Sequence, residues 1–196
     1  VPGIYSKLLD VDKVDLLIGP YSSNLTAPVM PIVKQRNLLL IGNFALDANA
    51  RLRHDKYFSS LPSASADQWA APFFDLAKQL QGKTVALLAA DAEFAQTLAG
   101  GARNEAKKRA IQLVYDQTYP PATVDFSSML RALRAKQPDA VFVAGYPSDS
   151  AAIVRAVKEI GVGGSVKLFG GGMVGLQNAP VMQSLGSTLN GVVNYH

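Results

Sequence analysis

Short apolar runs of strand length recur along this chain, and most stretches between them have the period of an amphipathic helix. The runs lie at 14–18, 38–42, 84–89, 111–115, 140–144, 166–170 and 191–195. Most are apolar end to end rather than alternating, which is how a strand buried on both faces of a parallel sheet reads. Between them, Trp69, Phe73, Leu76, Ala77 and Leu80 fall on one helical face. Phe94, Leu98, Ala102 and Ala106 form a second stripe, weakened by Gly100 and Gly101 at about 1 kcal/mol each relative to alanine. Phe126, Met129, Leu130 and Leu133 follow Asp125, a candidate N-cap. Ile153, Val157 and Ile160 end at Gly161, where a C-terminal cap belongs. Such alternation specifies an α/β fold with parallel sheets and right-handed crossovers.

The rhythm breaks once, between Phe44 and Ala64. Residues 43–56 are polar and irregular, and 57–62 are a short extended piece that reads as a crossing from one sheet to another. Four strand–helix steps follow the break. Two strands precede it, too few to close a core of their own, so the first part reads as a fragment of a larger domain. The hydrophobic content of 48% against 17% charged residues excludes a disordered chain. No apolar run reaches the ~18 to 20 residues of a membrane span.

In an open α/β sheet, ligands bind outside the carboxyl ends of the strands. The candidate loops there are 19–24, 42–47, 90–94, 145–149 and 170–173. Ser22 and Ser23 offer hydroxyls beside a helix start that can hold a carboxylate, although a serine there also serves as a plain cap. Four of the five loops carry an aromatic residue: Tyr21, Phe44, Phe94 and Tyr146. Packing between loops accounts for any one of them. Together they favour an apolar small-molecule pocket with a few polar anchors.

Other chemistries find little support. Cysteine is absent, which excludes a disulfide framework, a thiolate nucleophile and Cys-ligated zinc. His54 and His196 have no ligand-spaced partners, and neither belongs to a nucleophile motif, so no metal, no cofactor and no catalytic residue is expected. Gly170, Gly172 and Gly175 match the dinucleotide string, but after a late strand and without the acid about 20 residues on. Gly82-Lys83-Thr84 precedes a strand instead of following one, which excludes a phosphate-binding loop. The net charge of +4 divides evenly about Ser60, with seven basic and five acidic residues before it and twelve and ten after. Neither part is a basic surface for nucleic acid.

One ordered series of segments is more specific than any of its pieces. Val14-Asp15-Leu16-Leu17-Ile18-Gly19-Pro20-Tyr21-Ser22-Ser23 comes first. Asp125-Phe126 through Leu133 follows, then Pro138-Asp139-Ala140-Val141-Phe142-Val143-Ala144-Gly145-Tyr146, then 151–161 and Leu168-Phe169-Gly170-Gly171-Gly172. From about Ser6 to His196 the chain resembles the type I periplasmic binding proteins, in the branch typified by the leucine/isoleucine/valine-binding protein of ABC importers. The resemblance implies a two-lobe α/β architecture of parallel sheets flanked by helices, with a ligand held in the interlobe cleft. It further implies a chain truncated at both ends: residues 1–59 part of the N-terminal lobe, 60–190 the C-terminal lobe, and 191–196 the start of a return crossover.

By position in that family, Ser23, with Ser22 beside it, matches the serine that holds the ligand carboxylate. Asn43, Phe44 and Ala45 fall on the turn facing the ligand head, with Tyr21 nearby. Phe94 and Tyr146 match aromatics that cover the ligand from the second lobe. Two departures bear on the ligand. Leu46 stands where the amino-acid binders have a threonine, and Gly172 or Met173 stands where they have a glutamate that pairs with the ammonium. A buried ammonium without its partner is costly, so the resemblance implies an organic acid with an apolar or aromatic body. Asp47 and Asp91 are the alternative ammonium partners, which would restore an ordinary branched-chain amino-acid binder. The implied role is periplasmic or otherwise extracytoplasmic capture of a small carboxylate for the permease subunits of an ABC importer, without a membrane span, nucleic acid or catalysis. A ligand sensor of the same fold is the competing expectation.

Overall fold

The structure, a computed structural model, describes residues 1–60, 65–121 and 123–194. The chain divides into two compact units, Val1–Ala66 and Asp67–His196.

The first unit runs α1 (Pro2–Asp10), β1 (Leu17–Tyr21), α2 (Ser23–Thr26), a 3-10 turn, α3 (Met30–Gln35), β2 (Leu40–Asn43) and β3 (Tyr57–Ser59). Its three strands are parallel, in the order β1-β2-β3. β1 starts later than the apolar run at 14–18 predicts. Lys13 turns the chain at φ 55°, and the Val14 N–H donates back to the Leu8 carbonyl at 3.1 Å, so this segment belongs to the exit of α1. The strand instead continues through Pro20, which an edge strand tolerates because no neighbour needs its missing N–H. Residues 57–59 of the extended piece pair with β2 as the third strand; 61–62 lie outside the described residues.

Leu17 and Leu40 point into a core with Tyr5, Val29, Met30, Val33, Ala45 and Ala48. The Tyr5 hydroxyl donates to the Ile18 carbonyl at 2.6 Å and pins α1 to the sheet. On the opposite sheet face, Ile18, Ile41 and Phe58 lie in register and are exposed.

The second unit opens with a 3-10 turn (Ala66–Ala70) and α4 (Ala71–Gln79). It continues with β4 (Thr84–Ala90), α5 (Glu93–Lys108), β5 (Gln112–Tyr119), α6 (Ser127–Ala135), β6 (Ala140–Gly145) and α7 (Pro147–Ile160). After β7 (Leu168–Met173), α8 (Ala179–Leu185) and a second 3-10 turn, β8 (Val192–Asn194) ends the described chain; the last residue of the 191–195 run lies outside it. All five strands are parallel, in the order β5-β4-β6-β7-β8. The order therefore reverses at β4, which sends its connections to β5 on one side and toward β6 on the other.

Three local expectations change. The α4 stripe does not include Trp69, because Pro72 in the first turn sets the helix start and leaves Trp69 in the 3-10 turn before it. Asp125 does not occupy the cap position of α6, yet its Oδ1 accepts the Ser127 N–H at 2.9 Å and satisfies that helix end. Residues 170–173 are strand, not loop. A Cβ on Gly170 would lie 1.7 Å from the Val193 carbonyl oxygen, and one on Gly171 2.8 Å from the Phe142 ring. The glycines thus let β8 and Phe142 close in, and Phe142 packs edge-on against Phe73 at 4.9 Å in the centre of the core.

The two mid-helix glycines of α5 differ in the same way. Gly100 has open space at its Cβ position, whereas a Cβ on Gly101 would lie 1.9 Å from the Asp67 carbonyl oxygen. Gly100→Ala is expected to raise stability by up to about 1 kcal/mol through helix propensity. Gly101→Ala is expected to lower it by about 1 to 3 kcal/mol through overpacking. Urea unfolding of the two variants checks the opposite signs.

Candidate functional site

In the first unit the candidate residues gather at the carboxyl ends of β1 and β2. Ser22 leaves β1 at φ 74° and ψ 158°, and Phe44 leaves β2 at φ 51°, both unusual for residues other than glycine. Strain of this kind persists where surrounding bonds hold it, often at functional sites. Here the Ser22 N–H donates to the Asn43 carbonyl at 2.9 Å and ties one turn to the other. The Ser22 carbonyl accepts the Thr26 N–H, and its hydroxyl donates to the Asn24 side chain. Phe44 is held through its own N–H, which donates to Ser60 Oγ at 3.1 Å.

The Ser23 side chain is fully buried and its oxygen accepts the Asp47 N–H at 3.0 Å, while Asp47 Oδ1 accepts the Ser65 hydroxyl at 2.9 Å. Among the described residues this hydroxyl accepts that bond and donates none. Ala45 is buried, and its carbonyl accepts the Tyr57 hydroxyl, whose pKa burial and the nearby Asp47 carboxylate push up to about 12. What this end displays is apolar: the Tyr21 and Phe44 rings are 44% and 52% exposed and pack together at 5.8 Å, tilted by 34°.

The second unit presents its candidates at the carboxyl ends of β4, β6 and β7, around the point where strand order reverses. Ligands in open α/β sheets collect at such a point. Phe94, in the first turn of α5, meets Tyr146 edge-on at 6.1 Å. Phe94 itself is buried, and it also meets Trp69 at 5.6 Å and 72°. The Tyr146 hydroxyl oxygen is buried beside the Phe94 and Ala95 main-chain amides, and burial outweighs those amides to push its pKa up to about 12. Met173 lies in register beside Gly145 on the neighbouring strand and is fully buried. Its main-chain groups are both held by the Asn194 amide, at 2.9 and 2.8 Å. Of the alternative ammonium partners, Asp91 is exposed and Asp47 is buried at its turn.

Beneath Tyr146 lies a buried polar group that sequence reasoning missed. Asp149 Oδ1 accepts the Tyr146 N–H at 2.9 Å, and Oδ2 accepts the Tyr119 hydroxyl at 2.6 Å. Ser150 Oγ is buried nearby without a partner among the described residues. Desolvation raises the Asp149 pKa, only partly offset by the Tyr119 hydroxyl and by backbone amides. Burial raises that of Tyr119 far more, with the adjacent Asp149 adding to it. The available signal was the spacing of an N3 acid behind an N-cap residue, as in a capping box. Among the described residues, no group of three or more His, Asp or Glu is placed to hold a metal. Rings, hydroxyls and main-chain amides suit non-covalent recognition.

A family model described as periplasmic binding protein matches residues 3–195. A curated relative, Leu/Ile/Val-binding protein homolog 8 of Brucella abortus, is 28% identical over 114 residues, 58% of this chain and 28% of its own length. Among solved structures, a solute binding protein of an ABC transporter from R. palustris in complex with benzoate superposes with a TM-score of 0.81 at 17% identity, over 95% of this chain and 51% of its own. A leucine binding protein from Thermotoga maritima gives 0.80 at 19% identity, over 100% and 55%. The chain thus spans little more than a quarter of the curated relative and about half of each solved neighbour. No helix among the described residues is long and apolar enough to cross a membrane.

The raised pKa of Asp149 has a signed consequence. The folded state holds this proton more tightly than the unfolded chain, whose value is near 3.8. The associated stability is complete below that value and is lost as pH rises through the raised one. Asp149→Asn, neutral throughout, is expected to flatten this fall. Unfolding free energies of wild type and variant, measured upward from about pH 4, check it.

Proposed function

The chain belongs to the periplasmic binding protein family, and on that premise we propose that it captures a small carboxylate with an apolar or aromatic body for delivery to an ABC importer. The observation that carries this reading is the exposed ring pair Tyr21 with Phe44 at the strand ends of the first unit, with a second pair, the half-buried Tyr146 on the buried Phe94, at those of the second. Ser22 and Ser23 take the carboxylate, with Asn43 and Ala45 shaping the turn beside them. The rings take the apolar body, with Met173 backing Tyr146. Residues 1–59 belong to one ligand-binding lobe and 60–190 to the other, with 191–196 beginning the return crossover. The benzoate complex among the solved neighbours supports the ligand class. The working compartment is extracytoplasmic, the partners are the permease subunits, and the role is binding rather than catalysis.

A branched-chain amino acid is the second reading. The Asp47 carboxylate, buried at the turn that holds Ser23, favours it, as do the names of the Brucella and Thermotoga proteins.

A thermal-shift panel of benzoate, short aliphatic acids, leucine and valine on the intact protein separates the two. A ligand at 100 times its dissociation constant adds about 2.7 kcal/mol of stability. Shifts with benzoate or aliphatic acids and none with leucine or valine support the organic-acid reading, and the reverse replaces it. Ser23→Ala is expected to weaken carboxylate binding about tenfold or more, as loss of a hydrogen bond to a charged group does. Unchanged affinity, measured by calorimetry, removes Ser23 from the site.

A further inference from the structure

Trp69, the single tryptophan of the chain, lies outside every expected set of ligand contacts. It stands in the 3-10 turn ahead of α4, and this turn is firmly seated. Ala70 is fully buried, and the Asp67 carbonyl lies against α5 so closely that only glycine fits at position 101. The Trp69 side chain is half-buried and meets Phe94 edge-on. Phe94 in turn meets Tyr146 edge-on, so the Phe94 ring links Trp69 to Tyr146 by two successive contacts. Phe94 sits buried in the first helical turn, in contact with both the Trp69 and the Tyr146 rings. Edge-to-face contacts of this kind fix ring orientation as well as contributing energy, because the positive edge of one ring seeks the negative face of the next.

We infer that Trp69 is a positioning residue that holds the Phe94 ring in the orientation selecting a flat aromatic body over a saturated one of the same size. The inference rests on the organic-acid reading above and names the property by which that site discriminates.

The test compares benzoate with cyclohexanecarboxylate, which carries the same carboxylate on a saturated ring. Dissociation constants are measured by calorimetry for wild type, Trp69→Phe and Trp69→Ala, with the unliganded melting temperature of each as the control for folding. Wild type is expected to prefer benzoate. Trp69→Ala is expected to reduce that preference about three- to tenfold, the scale of one edge-to-face ring contact. Trp69→Phe, which keeps an aromatic edge, is expected to restore most of it. A purely structural role weakens both ligands equally and leaves their ratio unchanged, which overturns the inference while leaving the organic-acid reading in place. Wild type that binds leucine and neither acid overturns both.

Discussion

A buried carboxylate holds together the ligand-facing end of the five-stranded sheet. Asp149 accepts one hydrogen bond from the end of β5, through Tyr119, and one from the end of β6, through the Tyr146 N–H. β4 lies between those two strands in the sheet, so the bond joins ends that are not neighbours. Gly145 makes the approach possible, since a Cβ there would lie 2.9 Å from both the Tyr119 hydroxyl and Asp149 Oδ2. The donors are neutral, so the charge is desolvated without a counter-ion among them, and the raised pKa expresses that cost. Tyr146 rests on this group, Phe94 on Tyr146, and Trp69 on Phe94.

The first unit reaches a similar display by another means. There a main-chain bond from Ser22 to Asn43 joins the turns that leave β1 and β2. It holds both exits in conformations that residues with a Cβ seldom adopt, and side chains from farther along the chain secure them. Ser60 Oγ accepts the Phe44 N–H and the Tyr57 hydroxyl reaches the Ala45 carbonyl, while the Asp47 main-chain N–H donates to Ser23 Oγ. The outcome in each unit is a pair of aromatic rings set over a rigid strand end, as a preorganised binding surface requires.

How much was legible depended on where each residue stands in the sheet. β4 and β6 are buried along nearly their whole length, so an unbroken apolar run marked both correctly. β5 is an edge strand, and the polar Asp116, Gln117 and Thr118 hid its second half. The second half of β7 read as a loop because its three glycines look like a turn when their purpose, room for β8 and Phe142, is out of view. Trp69 fitted a helical period by coincidence of spacing. Tyr21, Phe44, Phe94 and Tyr146 were legible as candidates because each ends an apolar strand or lies in the few residues after one. Asp149 was not, since an acid in a first helical turn looks the same whether it is solvated or buried.

The alternation of strand and helix, the parallel class of both sheets and the strand ends that carry aromatic rings were all written in local pattern, because periodicity acts over a few residues. The pairing of those rings, the burial of Asp149 and the place of Trp69 were not. In the second unit they follow from the order β5-β4-β6, which brings Tyr119 and Asp149 together from 30 positions apart, and from the packing around α5 that joins Trp69 to Phe94 from 25; in the first, Tyr21 meets Phe44 because β1 pairs with β2. Contacts of that separation depend on which strands become neighbours, a property of the assembled sheet and not of any segment within it.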